Sequence, residues 1–188
     1  MKKILLLFLF LFTLSGLFAY EIVVPQKNEE TYMVMKGDES LEIDDYYYYK
    51  SIFSSSVLVE RFSEHITTLK GEGVTVLVLQ NCSESELESV LFSLSFSVEK
   101  PVILSVSSEL SFENIKELGA SYLYTADNLT SSTRAMLRSS GIGFEEISSG
   151  SILNVKDGAV SLISGDKNPH KGGFYIKCPD CGAMIYVP

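Results

Sequence analysis

Two thiols near the end of the chain, Cys178 and Cys181, carry its clearest chemistry. They stand in Cys178-Pro179-Asp180-Cys181-Gly182, between two short β-like segments, Phe174-Tyr175-Ile176 and Met184 to Val187. Thiolates at that spacing can face one ion, with the glycine taking a backbone conformation that other residues resist. Zinc in a structural role suits such a pair. Three completions are open. Cys82 and His170 make a Cys₃His site, two chains share one zinc as a homodimer, or Asp180 or a water fills the remaining position. The rival is an inert disulfide in an oxidising compartment. A reactive dithiol normally opens a helix, whose dipole lowers the first thiol's pKa. Here β-branched Ile185 and Val187 argue for a strand instead.

Cys82 follows the apolar run Val74 to Leu79, where strands of a parallel sheet present ligand-facing residues. It reads as a small buried residue, a metal ligand, or a nucleophile with His65 or His170 as base. His65 falls beside Phe62 and Ile66 and reads as packed. The same rim of the sheet gathers Asn81, Cys82, Ser107, Ser108, Ala126 and Asp127 as the candidate ligand-binding surface. Tyr46 to Tyr49 form either a packed rim or an aromatic platform for a sugar or peptide. Asn81-Cys-Ser83 and Asn128-Leu-Thr130 fit the glycosylation pattern. There is no nucleophile elbow, phosphate-binding glycine loop or two-histidine helix motif, so no catalytic residue is assigned.

The elements that must position these residues follow from periodicity. Residues 20–50 read as short strands and turns. Leu58, Phe62, Ile66 and Leu69 recur at helical spacing, with Gly71 placed to close the helix. Val74 to Leu79 is continuous enough for a strand covered on both faces. Ser83 and Glu86 have capping-box spacing before a helix through Leu87, Leu91 and Leu94. Strands at Val102-Ile103-Leu104, Tyr122-Leu123-Tyr124 and Phe144 to Ile147 then alternate with helices around Ile115 and from Thr130 to Arg138. Such alternation predicts an α/β fold: a small, mostly parallel sheet with flanking helices, Rossmann- or flavodoxin-like. Asp157-Gly158 between apolar runs adds a C-terminal β-hairpin, and the cysteine turn follows it. The expected organisation is leader 1–19, β segment 20–50, α/β domain 51–150 and β-rich tail 151–188.

Lys2 and Lys3, an apolar run from Ile4 to Leu14, and Leu17-Phe18-Ala19 follow the order of a signal peptide. The chain is therefore expected to be exported: periplasmic, cell-surface or secreted, without stable membrane insertion once the leader is cut. The remainder carries 13 basic against 24 acidic residues, a net charge of −11. That surface repels phosphate backbones, which excludes nucleic acid as an expected partner.

Two resemblances add to this reading. Tyr175-Ile-Lys-Cys-Pro-Asp-Cys-Gly-Ala-Met-Ile-Tyr186 resembles one half of a zinc ribbon and its knuckle turn, which implies structural zinc. Lys100-Pro-Val-Ile-Leu-Ser, Ile115-Lys-Glu-Leu-Gly-Ala, Tyr122-Leu-Tyr and Gly141-Ile-Gly-Phe-Glu-Glu-Ile-Ser-Ser-Gly150 are similar to the cell-wall-binding repeat 2 family. That second resemblance spans about residues 74–150. It implies a Rossmann-like or flavodoxin-like unit attached to wall polymers, and it carries no site residue over.

The expected function is an exported, non-enzymatic binding or cell-envelope protein with a metal-stabilised tail, its partner a cell-wall polymer or envelope protein. The alternatives are an exported thiol- or metal-dependent enzyme, and an assembly module that dimerises through a shared zinc site.

Overall fold

The computed structural model describes residues 19–25, 32–36, 39–43, 49–52, 57–163, 174–177 and 184–187. Strands dominate them, and they form three sheets. The largest sheet has seven strands in the order β10-β9-β8-β7-β6-β5-β4. Its parallel half is β7 (Val74–Gln80), β8 (Val102–Val106), β9 (Tyr122–Thr125) and β10 (Gly143–Glu146). The other half is antiparallel: β4 (Tyr49–Ile52), β5 (Val57–Ser63) and β6 (Ile66–Gly71) lead into β7.

Helices α1 (Glu84–Ser97), α2 (Phe112–Glu117) and α3 (Ser131–Ser139) connect the parallel strands. All three cover one face. Leu77, Leu79, Ile103 and Leu123 pack there against Leu87, Leu91, Leu94, Ile115 and Leu137. Because side chains alternate along a strand, Val76, Val78, Val102, Leu104 and Tyr124 point the other way. What they meet is a second, five-stranded antiparallel sheet, ordered β12-β11-β1-β2-β3.

That second sheet is built from both flanks of the parallel unit: β1 (Tyr20–Val23), β2 (Tyr32–Lys36), β3 (Glu39–Ile43), β11 (Ile152–Lys156) and β12 (Ala159–Ile163). β1 lies between β2 and β11, pairing antiparallel with each. Tyr20, Ile22, Val34, Leu153 and Val155 project into the layer between the sheets. The architecture is therefore sheet on sheet on helices.

This corrects the expected fold class. The chain is mostly β and is not a helix-flanked Rossmann-like fold. A Rossmann-like sheet carries helices on both faces, whereas here the second face is taken by strands. The expected helix through Leu58, Phe62, Ile66 and Leu69 is also absent, replaced by the β5–β6 hairpin turning at Glu64-His65. Val57, Val59, Ile66, Thr67 and Thr68 are β-branched, and packing between two layers favours the strand they suit. The helical spacing there is coincidental, sampled across two strands and a bulge at Arg61 to Ser63.

Gly71 likewise closes no helix: it ends β6, and the turn into β7 follows it. Glu72 and Gly73 have φ of 54° and 76°, and Asp157 and Gly158 have 51° and 78°. Two successive left-handed residues define the tight hairpin turn whose twist matches its strands. The two turns meet, Gly158 N–H donating to the Glu72 carbonyl at 2.5 Å. They join the two sheets at one end.

β13 (Phe174–Lys177) and β14 (Met184–Val187) form a separate two-stranded hairpin, with Lys177 opposite Met184. It brackets the cysteine turn. Cys178, Asp180, Cys181 and His170 lie outside the described residues, as do the leader through residue 18 and Tyr46 to Tyr48. Tyr49 opens β4 at the edge of the large sheet.

Candidate functional site

The rim after the parallel strands is where the six predicted surface residues come together. β7 ends at Gln80 and Asn81 turns left-handed, φ 54°; β8 ends at Val106 and Ser107 does the same, φ 52°. Asparagine tolerates that region better than most residues. The two loops are then joined by hydrogen bonds. Asn81 N–H donates to the Val106 carbonyl at 2.9 Å, and Cys82 N–H to Ser108 Oγ at 3.0 Å. Glu109 N–H returns a bond to the Cys82 carbonyl at 2.8 Å.

The third loop attaches beside them. Ser108 N–H donates to Asp127 Oδ2 at 3.3 Å, and Ala126 N–H to the Ser105 carbonyl at 2.9 Å. Asp127 N–H is held by Thr125 Oγ1 at 3.1 Å. The loops carrying Asn81, Cys82, Ser107, Ser108, Ala126 and Asp127 thus meet at one end of the parallel strands, tied by hydrogen bonds that backbone N–H groups donate.

All three helices begin at this rim, each with a hydroxyl cap. Ser83 accepts from Glu86 N–H, Ser111 from Asn114 N–H and Thr130 from Thr133 N–H. The cap positions were readable only at Ser83, from its capping-box spacing. Carboxylates offset the positive helix ends. Glu109 Oε2 accepts from Glu84 N–H at 3.4 Å, and Glu146 Oε1 from Leu129 N–H at 3.0 Å. Sequence reasoning missed Glu109 and Glu146, since nothing local marks a carboxylate that caps a neighbouring segment. Glu146 also holds Arg134 through two guanidinium nitrogens, the shortest contact 2.7 Å. The Arg134 hydrogen bond, then that from Leu129, lowers its carboxyl below the ordinary range.

Cys82 faces inward. It is 2% exposed and belongs to the helix-side core with Leu79, Leu87 and Ile115. Burial, then the Glu86 and Glu109 carboxylates, pushes its thiol up to about 12. A thiol in that environment stays protonated at neutral pH, the reverse of an activated nucleophile. His65 sits in the β5–β6 turn, its carbonyl accepting from Gln80 N–H at 3.0 Å. Among the described residues no group of three or more His, Cys, Asp or Glu is placed to hold a metal ion.

A concavity of about 580 Å³ opens at the opposite end of the strands from this rim. Lys70, Thr75, Glu99, Lys100 and Ser121 line it, and none of the predicted site residues does. Lys70 is already paired with Glu60 at 2.8 Å.

No family profile, curated protein or solved structure matches the chain. Among the described residues no helix is long and apolar enough to cross a membrane.

Proposed function

We propose that the chain is an exported, non-enzymatic binding protein of the cell envelope that takes an uncharged polar ligand, such as a wall-polymer sugar, at the rim after β7, β8 and β9. One observation carries this reading: the loops bearing Asn81, Ser107, Ser108 and Asp127, all polar residues, are tied together at one end of the parallel strands. Glu84, Glu109 and Asp127 make that rim acidic, which disfavours anionic ligands despite the helix starts beside it. Hydroxyl-rich ligands match such donors and acceptors. The resemblance to cell-wall-binding repeat 2 points to the same ligand class.

The thiol-enzyme alternative needs an ionised nucleophile, and the raised Cys82 thiol counts against it. Burial of Cys82 in the core counts against its recruitment to a tail metal, which leaves Cys178 and Cys181 with His170, Asp180, a water or a second chain's pair as the ligands of that proposed site. The antiparallel β13–β14 pairing supports that site by bringing the two ends of the cysteine turn together.

The test is binding of the exported protein to purified cell-wall polysaccharide, measured by calorimetry for the natural chain and for Asp127→Asn and Asn81→Ala. The expected result is measurable binding that each change weakens by about tenfold. Equal binding by all three chains means that the rim is not the site. Rapid Cys82 alkylation at pH 7 in the folded protein would return the thiol-enzyme reading.

A further inference from the structure

The concavity at the far end of the parallel strands lies where the end of β6, the start of β7, the turn after α1 and the chain entering β9 converge. Lys70 and Thr75 stand opposite each other in the β6–β7 register, so their side chains share one face of the sheet. Glu99 and Lys100 come from the turn, and Ser121 from the residue before β9. The volume of about 580 Å³ falls within the roughly 300–1,000 Å³ of small-molecule sites.

Lys100 is strained in this position. Its φ is 46°, a left-handed backbone that residues with a Cβ resist. Pro101 follows it, and a proline restricts the residue before it further. Ser121 clamps the turn. Its hydroxyl lies 3.1 Å from the Lys100 carbonyl and 3.2 Å from that of Pro101, and its N–H donates to the Pro101 carbonyl at 2.9 Å. Glycine adopts that conformation without strain, yet a lysine stands there. Strained residues held by their surroundings cluster at ligand clamps. The charges are also uneven in their partners. Glu60 neutralises Lys70, whereas among the described residues neither Glu99 nor Lys100 is in an ion pair.

We propose that this concavity binds a small zwitterion, a free amino acid or short peptide, with its carboxylate on Lys100 and its ammonium on Glu99. The Thr75 hydroxyl adds a polar contact, and Val74 and Val102 an apolar wall. Charge selects this class of ligand. Beyond the leader the chain carries 13 basic against 24 acidic residues, a balance that repels polyanions. A simple anion on Lys100 would also sit beside the Glu99 carboxylate. A ligand with one charge of each sign meets no net repulsion and pairs both groups. Both are exposed, so the affinity is modest, with a Kd on the order of 1 mM. The rim lies at the other end of the strands, and its ligand is independent of this one.

The test is an NMR titration of the full chain with alanine, dialanine, acetate and ethylamine, followed at the backbone amides. The expected result is saturable shifts at Thr75, Glu99, Lys100 and Ser121 with alanine or dialanine; the tighter of the two tells a free amino acid from a peptide. Acetate and ethylamine, each half of the ligand, should bind about threefold more weakly or worse. Lys100→Met and Glu99→Gln should each weaken binding by about threefold or more. Lys100→Gly should weaken binding while raising the thermal midpoint, because glycine accepts a φ of 46° freely. No saturable shift with alanine or dialanine up to about 50 mM, well above the expected Kd, overturns the proposal. So does acetate that binds as tightly as either zwitterion, binding that survives Lys100→Met, or a Lys100→Gly chain that loses stability along with binding.

Discussion

The two faces of the seven-stranded sheet are covered by different means. The helix-side face is closed by chain that lies between its own parallel strands: α1, α2 and α3 each follow one strand and precede the next. The sheet-side face is closed by residues 20–43 and 152–163, which come from opposite ends of the described domain and meet only through β1 and β11. One face uses local connections, and the other depends on a long-range pairing. The rim residues lie where the first arrangement feeds into loops, which is why they gather without a dedicated binding segment.

The sharpest way to probe the difference is to hollow each face in turn. Leu77 and Leu153 are both 0% exposed, one on each side. Leu77→Ala and Leu153→Ala should each cost about 2–5 kcal/mol. Hydrogen exchange should separate them, with Leu153→Ala loosening β1, β2, β11 and β12 before the parallel strands. Uniform loss of protection would mean that the two faces unfold as one unit.

A smaller effect is expected at the β10 edge. Gly143 lies beside Tyr122, and a Cβ there would stand 2.4 Å from two atoms of its ring. Tyr122 packs against the sheet-side core with its ring 4.8 Å from that of Tyr124, whose hydroxyl donates to the Val160 carbonyl at 3.0 Å. Gly143→Ala should therefore destabilise the protein by about 1–3 kcal/mol in chemical denaturation. Adding Tyr122→Ala should remove most of the additional cost. Additive losses would mean that the ring is not the obstacle.

The smallest effect belongs to Glu146 on the same strand, where it joins Arg134 of α3. Its folded pKa is lowered, so its contribution is present above the unfolded carboxyl pKa and fades as pH falls through the folded one. This pair is solvent-exposed, so the loss on acidification should be slight. Glu146→Gln should remove that part of the acid dependence, and an unchanged acid limb would show that the pair is idle.

The predicted rim shows how far local signals reached. Strands ending near Leu79, Leu104 and Tyr124, with helices after them, were enough to bring Asn81, Ser107 and Asp127 to one end of a parallel sheet. The bonds among them were not legible, because they join residues as far apart as Ser108 and Asp127. Cys82 illustrates the same limit. Its place after a strand was readable, but its inward direction, and the burial and then the Glu86 and Glu109 carboxylates that raise its thiol, depend on how α1 and the loop after β8 settle.

By itself the amino-acid sequence determined the period of each strand from Val74 onward, the Ser83 cap, the Asp157-Gly158 turn and the acidic balance. These follow from side-chain spacing, backbone preference and composition, all of which act within a few residues. Only the tertiary structure decided that residues 57–71 form a hairpin and that a second sheet, not a second helix layer, covers the remaining face. A strand with apolar residues on both sides accepts either covering, so the choice fell to the distant segments able to reach it and bury their own alternating faces.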